Sequence, residues 1–308
     1  MQHRITININ ALTLGRLYGS GLRAYVDKAR FIEDSNIDGI VMPDHVVFGG
    51  DAVYPFGGWP VQPEDSWPEP MAVLAALAGA TRSLDLITNV LVAPLRPAAL
   101  LAKQVATLAG LADGRFQLGV GAGWQRQEYE ACGVDFAGRS QLMFEQLQAC
   151  TRLWQDQPAS FQGQNIAFDD IWCSPGLPAR ADGSSLPLWF GVAPTAANAR
   201  FFAEFGGGWS CIHPDPAFIA EGRATLQAAL KEQFGIDAPL RVRAAPQIIC
   251  GESGLPCVHS TIDNLAACVR AGVTDFDFPM LFYVRKPSEF EPFVRALGDI
   301  DRNTASYL

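Results

Sequence analysis

The stretch Gly114–Tyr129, GRFQLGVGAGWQRQEY, runs from a strand-like segment into glycines at 119, 121 and 123 and then straight into Trp124. A dinucleotide fingerprint needs G-x-G-x-x-G opening a helix. Here the spacing is G-x-G-x-G, so this is not a Rossmann signature, and the neighbouring segments decide the architecture. Upstream, Ile5 to Asn8 reads as a first strand, followed by Leu22, Tyr25, Val26, Ala29 and Ile32 at helical spacing. DGIVMP (Asp38 to Pro43) is a second strand, with a helix over Met71 to Ala80 after a long loop. LDLITNVLVA is a third, followed by a helix from Pro97 to Leu111 with proline in its first turn.

RFQLGVG is then the fourth strand. PLWFGV from Pro187, GWSCI from Gly208, RVRAAPQII from Arg241 and DFDFP from Asp275 supply four more. Helical patterns over Thr195 to Phe205, Pro216 to Phe234, Thr261 to Ala271 and Pro287 to Leu297 alternate with them. Eight alternations of strand and helix imply parallel strands joined by right-handed crossovers. The expected class is α/β: a (β/α)8 TIM barrel, one domain spanning residues 1–308.

Two segments interrupt the rhythm, as insertions after strands two and four. Gly49 to Pro70 is rich in Gly, Pro and Trp without periodicity and reads as a lid or binding loop. Between strands four and five lie a helix from about Arg139 to Trp154 and the turn-rich stretch FQGQNIAFDDIWCSPGLP. Both follow the C-terminal end of a strand, the face on which barrel enzymes place their chemistry.

Composition narrows the functional classes. The 308 residues are 49% hydrophobic and 18% charged, ordinary for a globular chain with a large core. A net charge of −9 argues against a nucleic-acid groove or an anionic membrane surface, since both need a clustered positive field. No segment approaches the roughly 20 apolar residues that span a bilayer, and the chain reads as soluble and cytoplasmic. Seven cysteines, odd in number and never spaced C-x-x-C, suit a reducing compartment and core packing better than disulfides or a zinc site.

Asp44 and His45 close the second strand, where a barrel's functional side chains emerge. Asp44 either caps the following turn or faces a ligand; His45 is either a satisfied histidine or a group that passes a proton. The glycines at 119, 121 and 123 make either a tight exit turn or a bare backbone against which a flat ligand lies. Trp124 is then a cavity wall or a stacking partner. At strand five, FGVAPTAANAR places a glycine-bearing turn before Pro194, Thr195 and a small-residue helix; this is either a plain helix start or a phosphate site. The sequence has no H-x-H, no H-E-x-x-H, no G-x-S-x-G elbow and no P-loop. A metal-dependent hydrolase is therefore the weakest class, and no metal is expected.

Over nearly its whole length the chain resembles the luciferase-like monooxygenase superfamily, particularly the branch using the deazaflavin coenzyme F420. The resemblance rests on GRFQLGVGAGWQRQEYEACGVDFAGR (Gly114 to Arg139), supported by DGIVMPDH, LITNVLVAPLRPAALLAKQVATL and GVAPTAANARFFAEFGGGW. It implies a flavin or deazaflavin at the C-terminal mouth, its ring over strand three, with a non-proline cis peptide joining Asn89 and Val90. It matches His45 to the histidine at the ring's reactive edge and Asp44 to its neighbour. Ala122 and Gly123 match the turn lining the ring, and Gly191, Val192, Ala193 and Thr195 the region that takes the cofactor phosphate. Glu128 and Arg139 also match the signature and read mainly as a structural ion pair or fold contact.

The superfamily's sugar-phosphate dehydrogenases carry a glutamate where this chain has Trp124. With Trp59 and Trp67 on the long loop, Trp124 favours an apolar or aromatic small-molecule substrate. The leading expectation is an F420-dependent oxidoreductase that transfers hydride. An FMN-dependent monooxygenase is the alternative, and a flavin-binding protein without turnover a further one. A homodimer and a separate reductase that regenerates the cofactor are what the resemblance implies for partners.

Overall fold

The computed structural model describes residues 2–9, 11–19, 21–50, 52–54, 62–180 and 182–303. Its strands are β1 (Arg4–Asn8), β2 (Gly39–Met42), β3 (Asp85–Thr88), β4 (Leu91–Val92), β5 (Phe116–Gly121), β6 (Ala159–Gln162), β7 (Ala167–Ile171), β8 (Leu188–Gly191), β9 (Gly208–Cys211), β10 (Val242–Ala244) and β11 (Asp275–Pro279). Parallel neighbours run β1-β2-β3-β5-β8-β9-β10-β11 and close again on β1, which makes the eight-stave barrel expected from the alternation. β4 continues the stave of β3 beyond Asn89 and Val90 and pairs with β5. The Asn89–Val90 peptide is cis.

The last strand illustrates how local pattern sets the layers. In DFDFP, Phe276 and Phe278 alternate with Asp275 and Asp277. The aromatics join the buried hydrophobic shell between barrel and helices, each side chain contributing about 1.5–3 kcal/mol on burial, while the carboxylates enter the barrel. Asp275 meets Arg243, which is fully buried and also donates to Thr6 Oγ1 at 3.1 Å. With Gln117, which accepts from Trp189 Nε1 at 2.8 Å, these residues plug the N-terminal end of the barrel. Asp277 stands one inward position nearer the mouth.

The alternating glycines of β5 and its exit fit against the third stave, residue by residue. A Cβ on Gly119 would lie 2.0 Å from Thr88 O, one on Gly121 2.6 Å from Val90 Cγ2, and one on Gly123 2.8 Å from Val92 Cγ1. Gly191 on β8 meets Val90 from the other side, at 2.9 Å from Cγ1. The G-x-G-x-G spacing is thus the imprint of strand three's own alternation, and Gly121 and Gly123 also present bare backbone to a cavity at the mouth.

Three further elements differ from the sequence reading. The turn-rich stretch after the Arg139–Gln155 helix contains an antiparallel hairpin, β6 with β7. Its turn is held from a distance: Glu145, on that helix, accepts from Asn165 N at 2.6 Å, Ile166 N at 2.7 Å and Asn165 Nδ2 at 2.8 Å. The seventh strand stops at Ala244, because Pro246 has no N–H for a ladder; the chain then turns over the mouth. The stretch read as one helix over Thr261 to Ala271 is two, Val258–Asp263 and Leu265–Ala271, separated by Asn264. Among the described residues, no helix is long and apolar enough to cross a membrane.

Candidate active site

Two cavities open at the C-terminal mouth and meet around the end of the third stave. The first, of about 340 Å³, is lined by His45, Phe48, Tyr54, Trp67, Val90, Trp124 and Ile248, with Asn8, Asn89 and Asp277 among its polar members. The second, of about 390 Å³, is lined by Val90, Ala122, Arg139, Gly191, Val192, Ala193 and Trp209. Asn89, Val90, Gly123 and Trp124 belong to both. Both volumes fall in the range of small-molecule sites, roughly 300–1,000 Å³.

His45 leaves β2 into an aromatic shell. Its ring lies 4.4 Å from Phe48, 5.0 Å from Trp67 and 5.6 Å from Trp124, centroid to centroid. Its Nδ1 is 3.2 Å from Glu128 Oε2, and Glu128 is wholly buried on the short helix Arg126–Ala131. The other Glu128 oxygen accepts from Val46 N at 2.5 Å. A carboxylate only accepts, so Nδ1 carries the hydrogen and Nε2 is the nitrogen available for proton exchange with a ligand.

Of the two readings of Glu128 and Arg139, an ion pair or a fold contact, the geometry excludes the ion pair, since Glu128 pairs with His45. Arg139 instead donates to Gly123 O and Phe136 O, each at 3.2 Å, and its guanidinium carbon lies 3.8 Å from the Phe136 ring centroid. Among the described residues no carboxylate lies within ion-pair distance of it. Arg139 therefore brings an uncompensated cation to the second cavity of a chain whose net charge is negative.

Asp44 lines the first cavity and also ties its walls together. It is 3% exposed, and its oxygens accept from Arg96 Nη1 at 2.6 Å, Arg96 Nη2 at 3.1 Å and Val92 N at 2.9 Å. Arg96 also donates to Glu69, the N-cap of the Pro70–Ala80 helix. Burial works against the Arg96 charge, but Asp44 and Glu69 outweigh it and hold the guanidinium above its ordinary value. The Asp44–Arg96 pair thus locks the end of β2 to the third stave, and so fixes the backbone that presents His45.

The other predicted residues divide. Asn89, Val90, Gly123, Trp67 and Trp124 line the first cavity, and Ala122, Gly191, Val192 and Ala193 the second. Thr195 is exposed and lines neither; its N–H is bonded to Ala193 O at 2.8 Å, and the helix expected from it starts as a 3-10 turn. Trp59 lies outside the described residues. His213, the other histidine that follows a strand, accepts from Asp215 N at 3.2 Å and lies against Phe218, so it serves the start of the Pro216–Phe234 helix. The sequence reading missed Glu128 as the partner of His45, and missed Phe48, Tyr54, Asn8 and Asp277. For Asp277 the signal was present: a buried strand that alternates carboxylates with phenylalanines is directing charge somewhere specific. Among the described residues, no group of three His, Cys, Asp or Glu side chains is arranged to hold a metal.

A closed (β/α)8 barrel with a buried His–Glu pair at its mouth, beside paired apolar cavities, defines a barrel enzyme that works on small molecules. Residues 7–260 match the sequence profile of the luciferase-like monooxygenases, and the chain belongs to that family. It is an oxidoreductase of the kind that uses a flavin or deazaflavin. Uncharacterized protein Rv0953c of Mycobacterium tuberculosis is 27% identical over 262 residues, which cover 82% of this chain and 85% of that protein. Two solved structures share the fold over 98% of each chain. The oxygenating constituent of 3,6-diketocamphane monooxygenase from Pseudomonas putida, in complex with FMN, has a TM-score of 0.75 at 14% identity. An F420-dependent secondary alcohol dehydrogenase, in complex with an F420-acetone adduct, has a TM-score of 0.73 at 15% identity.

Proposed function

We propose that the chain is an FMN-dependent monooxygenase acting on a small molecule with a substantial apolar or aromatic part. The observation that carries this reading is the meeting of two cavities at Val90, one holding the His45–Glu128 pair and the other the uncompensated Arg139. The second cavity suits the phosphate end of a flavin nucleotide: Arg139 supplies charge, and the Gly191–Ala193 backbone supplies close approach. The first suits the reacting end and the substrate. When bound, the cofactor supplies two-electron redox chemistry and the activation of oxygen. The chain's own residues do the rest. Phe48, Tyr54, Trp67 and Trp124 exclude water, and Glu128 holds Nδ1 of His45 so that Nε2 handles the proton.

The sequence pattern leans towards F420, and an F420 enzyme has nearly the same structural likeness as the FMN one. Family description and the FMN-containing neighbour favour FMN. With F420 in the same cavities the reaction becomes hydride transfer, because that ring does not readily activate oxygen. Separate titrations of the purified protein with FMN and with F420, followed by fluorescence, test the choice. Micromolar binding of FMN alone is the expected result. Binding of F420 alone replaces oxygen chemistry with hydride transfer, and binding of neither overturns the function.

A further inference from the structure

Four carbonyls at the exits of two neighbouring staves, on the wall of the second cavity, are held by donors of the protein. Tyr129 donates through its hydroxyl to Ala122 O at 2.5 Å, and Arg139 Nε donates to Gly123 O at 3.2 Å. On the next stave, Trp209 Nε1 donates to Val192 O at 3.0 Å, and Ala193 O accepts from Thr195 N at 2.8 Å and Asn198 Nδ2 at 2.9 Å. These peptides are trans, and in a trans peptide N–H and C=O point in opposite directions. Each captured carbonyl therefore turns the N–H of the following residue the other way, except at Pro194, which has none. Among the described residues, the N–H groups of Gly123, Trp124 and Ala193 donate to no protein acceptor. These three residues and Arg139 line the cavity together. The wall thus offers backbone donors and a cation while these carbonyls are engaged elsewhere, the polarity an anion needs.

Trp209 is the most constrained member of this set. It is 1% exposed, and Val192 O satisfies its indole N–H. On the Pro216–Phe234 helix, a Cβ at Gly222 would lie 2.6 Å from Trp209 Cη2 and 2.9 Å from Pro194 Cβ. Glycine inside a helix costs about 0.5–1 kcal/mol relative to alanine; here it makes room for the indole and for the proline that ends the turn. Trp209 stands on β9, and β8 lies between β9 and β5. With Val192 O drawn towards Trp209, the Ala193 N–H is turned to the β5 side, where the chain leads on to Arg139.

We infer that Trp209 is a positioning residue for the anionic end of the cofactor: by holding Val192 O it aims the Ala193 N–H into the second cavity, and Gly222 keeps the indole in place. The inference rests on the proposed assignment of this cavity to the cofactor phosphate. It places part of the preference for a phosphorylated flavin in a residue that carries no charge.

The test is a fluorescence titration of the full chain with FMN and with riboflavin, which differ only in the phosphate. Trp209→Phe keeps an aromatic ring and removes the N–H. FMN affinity is expected to fall at least about tenfold, as for a hydrogen bond to a charged group, with riboflavin affinity within about twofold of the wild type. Gly222→Ala, which leaves Trp209 in the chain, should give a selective loss in the same direction. Adding it to Trp209→Phe should narrow the preference no further, because the two act through one contact. An equal loss of both flavins marks a merely structural role and overturns the inference, as does an unchanged FMN affinity or a wild type that binds the two flavins equally. A wild type that binds F420 in place of FMN sinks the proposed function, and the same comparison is then made between F420 and its phosphate-free deazariboflavin core: a selective loss of F420 in Trp209→Phe sustains the inference. Binding of neither cofactor overturns both.

Discussion

His45 shows what a residue's position reveals and what it conceals. Its place after an apolar strand, in a chain with four histidines, was enough to mark it. Its partner was not legible, because Glu128 arrives from a helix 83 residues away and its neighbours in sequence gave it a structural reading. The pair makes separable predictions. His45→Ala should lower turnover by about 10²–10⁴-fold, the usual contribution of a positioned acid or base, with cofactor affinity unchanged in a fluorescence titration. Unchanged turnover with normal cofactor binding removes His45 from the chemistry. Glu128→Gln keeps the shape but allows an amide N–H to face Nδ1, favouring the wrong ring tautomer. We expect kcat to fall at least about tenfold with KM little affected, and stopped-flow and steady-state kinetics with the natural substrate distinguish this from a general loss of folding.

Elements record constraints that single residues do not. The G-x-G-x-G of β5 was visible at once, yet its meaning depends on a strand that precedes it by some thirty residues: each glycine yields to Thr88, Val90 or Val92. Gly121→Ala should therefore push Val90 out of place, destabilise the barrel by about 1–3 kcal/mol as overpacking does, and weaken cofactor binding. Gly79→Ala is the control: its Cβ meets nothing within 4 Å, it sits in the Pro70–Ala80 helix, and it should stabilise by roughly 0.5–1 kcal/mol. Thermal melts of the two variants side by side give the opposite signs or refute the account.

The β6–β7 hairpin was hidden for a comparable reason, since Glu145 on a distant helix organises its turn. Burial alone would raise the Glu145 carboxyl, but the Asn165 and Ile166 donors hold it below its ordinary value. A depressed folded value means the stabilisation is complete above the unfolded carboxylate range and is lost as pH falls through the folded one. Glu145→Gln should lower stability by about 1–3 kcal/mol at neutral pH, and the gap between the two melting curves should close as the solution is acidified below about pH 4. A gap independent of pH contradicts the assignment.

At the scale of the whole molecule the barrel separates into a mouth that carries chemistry and a floor that carries stability, as the fold predicts. The eight alternations were legible because strand and helix periods differ and the connections are short. The division of labour was not, because it depends on which inward position along each stave a side chain occupies. Arg115, just ahead of β5, tests the division. Its guanidinium donates to Leu84 O at 2.9 Å, Thr81 Oγ1 at 3.1 Å, and Ala78 O and Thr81 O, both at 3.2 Å. It so binds the C-terminal end of the Pro70–Ala80 helix to the floor, far from Val90. Arg115→Ala removes a charged donor from four acceptors and should cost about 2–3 kcal/mol, lowering Tm by roughly 3–5 °C for a chain of this size. The FMN dissociation constant, measured well below the melting transition, should stay within about twofold, since interactions this far apart are close to additive. A large loss of FMN affinity would mean that floor and mouth are coupled through the Asp85–Thr88 stave, and that the barrel does not insulate its site.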